Sequence, residues 1–457
     1  MPPKLIPKAE VTFDVPRTVN GVTDEFITNS LQHYNVIDNE TKVSIVDKNP
    51  IGKGTGNCGD LLIMELAYEP KNSDLPKKIV GKFCPEVIPI GMPKRSWRDG
   101  ALNEINNYTI VGTDTVPHPK FYAGVGNSAK DAFVVLMEYV DDLEGTDILQ
   151  PLAVDRCERA LKAVAKLHAK FWGGPKRLGG PVPTLGSPEL DQAVPFLGDY
   201  RGIMKMMMSE NCLMHPISDI QKILPPNVAL RMADWPSIVS AKAGNTLNTY
   251  APAMPKTGEP LYAVNPISIV FFDYRSDNIF ISQNAPSDSN DLGVKAVDFA
   301  ACMWAHPMVD VNYLMMTSLD PEELYQNKDR LIESYRQSLI ENLTLFSNAA
   351  SVDMSRDDNE IKIGKNPAPV PSLKTMQNDL WMQFMWTPMF VWSQLAPVMM
   401  ARRKMLGEAF SYDDRQIKAF QVVMERAITV MEKYNWADYM KQQPGSAPTC
   451  QYCCPCC

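Results

Sequence analysis

The sequence has little of what a nucleic-acid-binding, secreted or membrane-spanning protein requires. Its 457 residues carry 45 Lys and Arg against 53 Asp and Glu, and a formal net charge of −8 gives no attraction for nucleic acid. The first residues contain no apolar segment of secretory type, which predicts a cytoplasmic protein. One uncharged stretch, residues 380–401, contains polar side chains and two prolines, so it favours a broken, buried helix over a transmembrane span.

The composition is otherwise that of a globular chain. Hydrophobic residues make up 45% and charged residues 21%, which excludes collagen-like, coiled-coil and low-complexity proteins. Ten cysteines fall into two groups, and we expect the five scattered ones to be reduced core residues. These are Cys58, Cys84, Cys157, Cys212 and Cys302. The other five lie in the terminal CQYCCPCC, for which S-acylation with weak membrane contact, prenylation, soft-metal binding and an inert flexible end are alternative interpretations.

Hydrophobic periodicity predicts an α+β fold with a small β-rich part and a larger helical part. Strand-like runs (VSIV, LLIMELAY and KKIVGKF) precede a helical segment and the apolar strand AFVVLMEYV. Beyond Gly145 the pattern is mostly helical and begins with an amphipathic segment at 154–172. The predicted divisions are a 1–40 N-terminal extension, a 41–141 N-terminal lobe, a 142–440 C-terminal lobe with a polar insertion at 352–374, and a 441–457 tail.

A glycine-rich segment, GKGTGNCG, separates the first two strand-like runs. Within it Gly54, Gly56 and Gly59 form a G-x-G-x-x-G pattern. Glycines let backbone N–H groups approach phosphates closely, although a plain turn is an equally open interpretation. A dinucleotide-dependent oxidoreductase is disfavoured, because the residues that follow predict a hairpin where that motif needs a helix.

Lys82 lies near the end of the strand KKIVGKF, and Glu104 lies on the helical segment that follows. A lysine behind a glycine-rich hairpin can reach nucleotide phosphates, and a helix carboxylate can hold it by charge pairing. The alternative interpretation is that both are solvated surface charges.

Two apolar strands each lead to an aspartate. DYRSDN places Asp273 five residues before Asn278, and VDFA places Asp298 after the second strand. Asp273 can orient a hydroxyl group as a base, while Asn278 and Asp298 can supply oxygen ligands for Mg²⁺. A turn whose Asx side chains cap its own backbone is the alternative. Asp310, in HPMVDVNYLM, fits either a functional role or a helix N-cap.

The order of these features resembles the small-molecule phosphotransferases of the kinase-like superfamily. The shared features are the glycine-rich hairpin, the strand lysine, the helix glutamate, the hinge strand LMEYV, D-x-x-x-x-N and D-F. That superfamily includes aminoglycoside phosphotransferases, choline kinases and ecdysteroid kinase-like (CHK kinase-like) proteins. The resemblance spans roughly residues 43–316 and includes NEINNYTIV, LKAVAKLHAKFWG and VDFAACMWAHPMVDVNYLM. It implies a bilobal protein kinase-like fold with ATP between the lobes.

The resemblance also implies a role for each residue. Lys82 would bind phosphate, Glu104 would pair with Lys82, and Asp273 would accept or orient the acceptor hydroxyl. Asn278 and Asp298 would be the Mg²⁺ ligands. The implied nucleotide contacts are Gly54, Gly56, Gly59, Lys82, Glu138, Tyr139 and Val140. The expected activity is transfer of the γ-phosphate of ATP to a hydroxyl group of a small molecule.

The sequence departs from the family pattern at two places. Phe271 and Phe272 replace the His-Gly that precedes the family's catalytic aspartate, which favours, as an alternative, a pseudokinase-type scaffold that binds nucleotide or lipid without catalysis. The family histidine supports loop geometry, and packing of Phe271 can take its place. Gly81 precedes Lys82 where the family usually has a larger apolar residue, and from this we expect little effect.

The class of acceptor depends on the helical part. No Ala-Pro-Glu follows Asp298, and Pro307 with Asp310 arrives too soon for an activation loop, so a small-molecule acceptor is favoured over a protein. A Met- and Trp-rich run at 381–392 fits either core packing or the wall of an apolar pocket. The pocket interpretation predicts a hydrophobic alcohol, such as a sterol or a hydroxyacyl compound.

Overall fold

The computed structural model describes residues 8–51, 59–84, 94–111, 115–174, 267–284, 291–347, 369–377 and 414–435. Several predictions lie outside these residues. They concern Gly54, Gly56, Cys58, Cys212, the uncharged stretch at 380–401 with its Met- and Trp-rich run, most of the polar insertion at 352–374, and the cysteine-rich tail.

The N-terminal part is built on a five-stranded antiparallel sheet. Its strands are β1 (Lys42–Ile51), β2 (Asp60–Glu69), β3 (Lys78–Phe83), β4 (Phe121–Asn127) and β5 (Ala132–Glu138), arranged in the order β1-β2-β3-β5-β4. Side chains alternate across the sheet, so in β5 Phe133 and Val135 enter one buried cluster while Val134 and Leu136 enter another. The predicted meander and the strand AFVVLMEYV are confirmed.

The segment predicted as an N-terminal extension packs against one face of this sheet. Its helix α1 (Asp24–His33) buries Leu31 in the same apolar cluster as the sheet residues Val134 and Leu136. The Tyr34 hydroxyl donates a hydrogen bond to the Gly124 carbonyl on β4, at 2.6 Å. The segment therefore forms part of the N-terminal core.

Helix α2 (Lys94–Val111) packs on the opposite face of the sheet. It contacts β5, and its residues Leu102, Ile105 and Tyr108 are buried in the cluster that includes Phe133. The helix also contacts a 3₁₀ turn at Phe299–Ala301 that belongs to the C-terminal part. α2 is therefore placed between the sheet and the C-terminal loops.

The C-terminal part is rich in helices, which confirms the α+β fold class. The described elements are β6 (Glu144–Gly145), α3 (Val154–Lys170), β7 (Ser268–Val270), β8 (Ile279–Ile281), β9 (Val294–Ala296), β10 (Met303–Ala305), α4 (Met308–Ser318), α5 (Pro321–Ser347) and α6 (Asp414–Lys433). Helix α3 packs against α5, and α6 packs against both α4 and α5. These contacts form the core of the C-terminal part. The predicted amphipathic helix at 154–172 corresponds to α3, whose residues Leu161, Val164 and Leu167 are buried.

The run SIVFFDYRSDNIFIS is divided into two short strands with different partners. β7 pairs with β10, whereas β8 pairs with β9 in the predicted hairpin. A loop and a 3₁₀ turn at Ser276–Asn278 separate β7 from β8. Asp273 and Asn278 therefore lie in the connection between β7 and β8, as predicted.

Two expectations about the whole chain can be examined within the described residues. Cys84, Cys157 and Cys302 are buried and form no disulfide, as expected of reduced core cysteines. None of the described helices combines the length and the apolar character needed to cross a membrane.

Candidate active site

Lys82 connects three elements of the fold. Its Nζ lies 2.8 Å from Glu104 Oε2 on α2 and 2.9 Å from Asp298 Oδ1 in the loop after β9. The side chains of Lys82 and Glu104 are 13% and 4% exposed, whereas that of Asp298 is 32% exposed. We call these three residues the Lys82 network. It joins the N-terminal sheet to the C-terminal loops through side-chain charges.

Burial and charge act in opposite directions in the Lys82 network. Burial disfavours the charged form of Lys82, but the carboxylates of Asp298 and Glu104 outweigh it and hold the lysine pKa above its usual range. Burial also opposes ionisation of Asp298, yet the Lys82 ammonium keeps the pKa of that carboxyl below its usual range. At Glu104 burial prevails and raises the pKa, with Lys82 offsetting only part of the effect. Asp298 is therefore the more readily ionised of the two carboxyls.

Two glycines near Lys82 leave no room for a larger side chain. A Cβ atom at Gly59 would lie 2.9 Å from the Phe83 carbonyl oxygen and 3.2 Å from Lys82 Cγ. The last glycine of the predicted phosphate-binding segment thus lies against the Lys82 side chain, where no larger residue fits. At Gly81 a Cβ atom would lie 2.4 Å from Phe83 Cε2, so the Phe83 ring occupies the space that a larger residue would need.

Asn278 and Asp298 are brought together by the hairpin of β8 and β9. Ile279 pairs with Ala296, and the Val297 N–H donates to the Asn278 carbonyl at 2.9 Å. Asn278 takes part in this pairing and Asp298 directly follows Val297, so the two candidate metal ligands lie at the same end of the hairpin. Their separation in sequence is large, but the antiparallel register makes them neighbours.

Asp273 is held by three neighbouring groups. Asn278 Nδ2 donates to the Asp273 carbonyl at 2.8 Å and to Oδ2 at 3.2 Å. Arg275 Nε lies 3.1 Å from Asp273 Oδ1, and the Tyr313 hydroxyl also hydrogen-bonds the carboxylate. Burial raises the pKa of Asp273 above its usual range, while the Arg275 charge opposes that rise. The carboxylate is thus oriented and a better proton acceptor than an exposed aspartate.

Asp310 holds the backbone of the loop that leads to Asp273. It is fully buried, and its two carboxylate oxygens accept from Phe271 N at 2.6 Å and Phe272 N at 2.7 Å. His168 Nε2 lies 3.1 Å from Asp310 Oδ2, and its Nδ1 lies 2.8 Å from the Tyr335 hydroxyl. We call Asp310, His168, Tyr335 and these two backbone N–H groups the Asp310 network.

The predicted N-cap role of Asp310 is wrong. α4 begins at Met308, its N-cap is Pro307 with no side-chain cap, and Asp310 lies in the first turn. The carboxylate instead accepts hydrogen bonds from two backbone N–H groups of the neighbouring loop.

The two phenylalanines that replace His-Gly are both buried. The Phe271 ring packs against Phe299 at a centroid distance of 4.5 Å and against Tyr274 at 5.3 Å. Phe272 has a left-handed backbone with φ of 68° at the position where the family has glycine. The contact with Asp310 and the aromatic packing together hold this loop in place.

The predicted adenine-contacting residues, 138–140, begin at the last residue of β5. All three are half-buried. Glu138 Oε1 lies 3.3 Å from Lys295 Nζ on β9, and the Tyr139 ring lies 4.2 Å below Lys78 Nζ. These residues therefore lie at the junction between the sheet and the C-terminal hairpin.

Sequence reasoning missed four residues that support the site: Arg275, Tyr313, His168 and Asn107. Arg275 lies inside DYRSDN, so its proximity to Asp273 was open to prediction from spacing alone. The other three lie on helices far away in sequence, and nothing in a single sequence indicates which side chains they contact. Asn107 Nδ2 donates to the Phe299 carbonyl at 2.8 Å.

A sheet lysine paired with a helix glutamate and facing loop aspartates is the arrangement expected of kinase-like small-molecule phosphotransferases. A family model described as "Ecdysteroid kinase-like family" matches residues 246–347. This segment contains Asp273, Asn278 and Asp298, and the match confirms the resemblance drawn from the sequence. No curated protein matches the chain significantly.

Solved structures of aminoglycoside phosphotransferases are distantly similar. The GDP complex of wild-type aminoglycoside 2'-phosphotransferase-IIIa is 14% identical, with a TM-score of 0.41, and the alignment covers 89% of this chain and 99% of that chain. The ADP-bound aminoglycoside phosphotransferase APH(2'')-Ib is 11% identical, with a TM-score of 0.36 and coverage of 84% and 95%. Likenesses this distant carry no information about the substrate of this chain.

Proposed function

We propose that the protein transfers the γ-phosphate of ATP to a hydroxyl group of a small molecule, with Mg²⁺ as the metal ion. The observation that carries this proposal is the Lys82 network. A buried ammonium that contacts both a helix carboxylate and a loop aspartate costs desolvation energy that core packing alone does not require. The same three charges are suited to binding a nucleotide triphosphate and its metal.

The proposed nucleotide site begins with Lys82. In this proposal its ammonium binds phosphate oxygens while Glu104 keeps it in place. Gly59 lies against the Lys82 side chain, which supports a phosphate-covering role for the glycine-rich segment it ends. The backbone of residues 138–140 is the proposed adenine contact.

The residues present fit a magnesium ion. Asn278 and Asp298 offer an amide and a carboxylate oxygen, which are the ligands that Mg²⁺ prefers, and they are neighbours across the hairpin. No cluster of three or more His, Cys, Asp or Glu side chains suited to a metal occurs among the described residues. Two protein ligands agree with Mg²⁺ bound largely through phosphates and water. When bound, the ion would neutralise charge on the transferring phosphoryl group.

Asp273 is the proposed base. The acceptor oxygen would attack the γ-phosphorus, its proton would pass to the Asp273 carboxylate, and ADP would leave. Arg275 and Tyr313 orient this carboxylate, and the raised pKa of Asp273 favours its protonation during the transfer. Most of the rate would come from positioning and from charge neutralisation.

The replacement of His-Gly by Phe271 and Phe272 is the observation that favours a pseudokinase scaffold. Against it, Asp310 accepts hydrogen bonds from both backbone N–H groups, and the Phe271 ring is packed against Phe299. Since the family histidine supports loop geometry, these contacts support a loop that is competent for transfer.

For the acceptor, we propose a hydrophobic alcohol such as a sterol or a hydroxyacyl compound. The support is the Met- and Trp-rich composition of residues 381–392, which lie outside the described residues. Equilibrium dialysis against a sterol and against an aminoglycoside tests this choice. Tight binding of the aminoglycoside would contradict it.

The experiment that tests the function is a thermal-unfolding comparison of wild type and Asp298→Asn with ATP, with and without Mg²⁺. A ligand at 100 times its Kd stabilises a protein by about 2.7 kcal/mol, so a competent site gives a clear Mg²⁺-dependent shift in Tm. Asp14→Asn, at a side chain that is 83% exposed, is the control and should keep the shift. We expect Asp298→Asn to lose it.

Two further outcomes decide between the functions. A nucleotide shift followed by phosphorylation of a hydroxylated lipid, measured by mass spectrometry, supports the transferase. A nucleotide shift without transfer to any acceptor supports the scaffold. If ATP shifts neither protein, the nucleotide-binding proposal is wrong.

A further inference from the structure

We propose that Asn107 is a positioning residue for Asp298, through which helix α2 sets the direction of a metal ligand. This inference rests on the proposed function, because it concerns the nucleotide and Mg²⁺ site. It goes further by assigning a role to a side chain that touches neither the nucleotide phosphates nor the metal.

The backbone at Asp298 needs external support. Asp298 has φ of 67° and ψ of 71°, in the left-handed region that residues other than glycine seldom occupy. Such a conformation persists only where the surrounding structure holds it. This backbone conformation also sets the direction of the Cα–Cβ bond, and with it the direction in which the Asp298 carboxylate points.

Two consecutive residues of α2, Asn107 and Tyr108, contact Phe299, the residue that follows Asp298. Asn107 Nδ2 donates to the Phe299 carbonyl at 2.8 Å. The Tyr108 ring also packs against the Phe299 ring at 4.4 Å. Asn107 is completely buried, so water does not compete for its hydrogen bond.

The same helix also reaches the side chain of Asp298. Glu104 lies one turn before Asn107 and binds Lys82, which in turn binds Asp298 Oδ1. When Lys82 turns toward phosphates, this side-chain contact weakens, but the contact from Asn107 to the backbone remains. Asn107 should therefore matter for the part of ATP binding that depends on Mg²⁺, and not for ATP binding without the metal.

Asn107→Leu is a suitable test because leucine keeps the branched shape of the asparagine side chain and removes only its polar atoms. Asn107 Oδ1 is buried without a hydrogen-bond donor in the described part of the chain, and leucine removes this unsatisfied atom. The Phe299 carbonyl keeps its second donor, the Cys302 N–H at 3.3 Å. Asn103→Leu is the matched control, since Asn103 is a buried asparagine of α2 whose Oδ1 likewise lacks a donor among the described residues.

The first measurement is the Kd of ATP with and without Mg²⁺, by calorimetry, for wild type and both variants. In Asn107→Leu we expect the Mg²⁺-dependent gain in affinity to fall by about tenfold, the size of one hydrogen bond's net contribution, with the metal-free Kd unchanged. Asn103→Leu should keep the full gain. Equal values in the two variants would overturn the proposal.

The second measurement needs no ligand. Hydrogen–deuterium exchange of residues 297–302 should be faster in Asn107→Leu than in Asn103→Leu, because only the first change frees the Asp298 backbone. Unchanged exchange would also overturn the proposal. If wild type shows no Mg²⁺-dependent binding of ATP, the proposed function and this inference both fail. If wild type shows that binding and Asn107→Leu keeps the full Mg²⁺-dependent gain, this inference alone is rejected.

Discussion

The Lys82 network and the Asp310 network each contain one aspartate of the C-terminal part, Asp298 and Asp310 respectively. The two aspartates are held in different ways. Asp310 is 0% exposed and is bound by two main-chain N–H groups and a buried histidine. Asp298 has a side chain that is 32% exposed and is bound by the ammonium of Lys82. The first arrangement uses donors fixed by the backbone, and the second uses a long, adjustable side chain.

The difference separates a carboxylate that shapes a loop from one that is available to a ligand. The main-chain N–H groups around Asp310 cannot turn toward another acceptor as a flexible side chain can, so exchanging the carboxylate for a ligand group would be costly. In the proposed function, the flexible Lys82 side chain exchanges Asp298 for a phosphate group by a change of rotamer. We therefore expect a change of Asp310 to affect mainly stability, and a change of Asp298 to affect mainly binding.

The largest effect is expected for Asp310→Asn. One side-chain oxygen remains as an acceptor and the new NH₂ group faces a backbone N–H, so we expect a loss of about 3–5 kcal/mol in the free energy of unfolding. The matched change Asp298→Asn should cost only about 1 kcal/mol, because its ion pair is partly exposed. Urea unfolding of both variants measures the difference. Equal losses would show that the comparison between the two networks is wrong.

Lys82→Met should have the next largest effect. It leaves Glu104, which is 3% exposed, without its cation, and we expect a loss of about 2–3 kcal/mol. The double change Lys82→Met with Glu104→Gln should recover most of that stability, because the uncompensated carboxylate is gone, while ATP binding stays lost. Urea midpoints and ATP titrations measure the two properties. Recovery of ATP binding in the double variant would argue against a phosphate-binding lysine.

His306, two residues before α4, offers a test by pH near the Asp310 network. Burial, with a smaller contribution from His168, lowers the pKa of His306 from 6.5 to about 3, and its Nδ1 accepts from Met308 N. The unfolded chain therefore binds a proton that the folded chain does not, so stability is full above pH 6.5 and is lost as the pH falls toward 3. Between pH 7 and pH 5 this loss is about 2 kcal/mol.

The variant His306→Asn should remove that loss, whatever its stability at pH 7. The quantity to compare is therefore the change in unfolding free energy from pH 7 to pH 5, measured with urea. The exposed His33→Asn is the control and should retain the wild-type change. A wild-type slope in His306→Asn would mean that other groups cause the acid sensitivity.

The smallest effects are expected from two glycines: Gly81, next to Lys82 on β3, and Gly100, one turn before Glu104 on α2. Gly81→Ala places a methyl group 2.4 Å from the Phe83 ring, and we expect a loss of about 1–2 kcal/mol from overpacking. Gly100→Ala meets no atom within 4 Å and should stabilise α2 by about 0.5–1 kcal/mol. Thermal unfolding measures both. A neutral Gly81→Ala would show that the Phe83 ring moves easily and that Gly81 has no packing role.

Much of the fold was open to prediction because its elements have strong periodicity. The runs that became β2, β3 and β5 alternate or are continuously apolar, and α3 repeats Leu161, Val164 and Leu167 on one face. The pairing of β7 with β10 was not predicted, because a three-residue strand is too short to show a period. The packing of α1 on β4 was also missed, since it depends on tertiary contacts.

The residue types of the candidate site could be identified from spacing, but most of their contacts could not. Asp273 and Asn278 were identified by their five-residue spacing, but the hydrogen bonds between them were not predicted. For Asp310 the sequence left a functional role and a helix N-cap as alternatives, because a single sequence displays only near neighbours. Its actual partners, Phe271 N and Phe272 N, lie 39 and 38 positions away and become neighbours only in the folded chain.

The contact between Lys82 and Asp298 joins residues that are 216 positions apart. The five strands of the N-terminal sheet end at Glu138, so a ribosome completes them long before it adds Asp298. Domains generally fold as units during synthesis, and the sheet can therefore form while Lys82 has Glu104 as its counterion. A nascent N-terminal part would then be folded and still unable to hold a metal–nucleotide complex. The order of synthesis itself delays the site until the C-terminal loops are made.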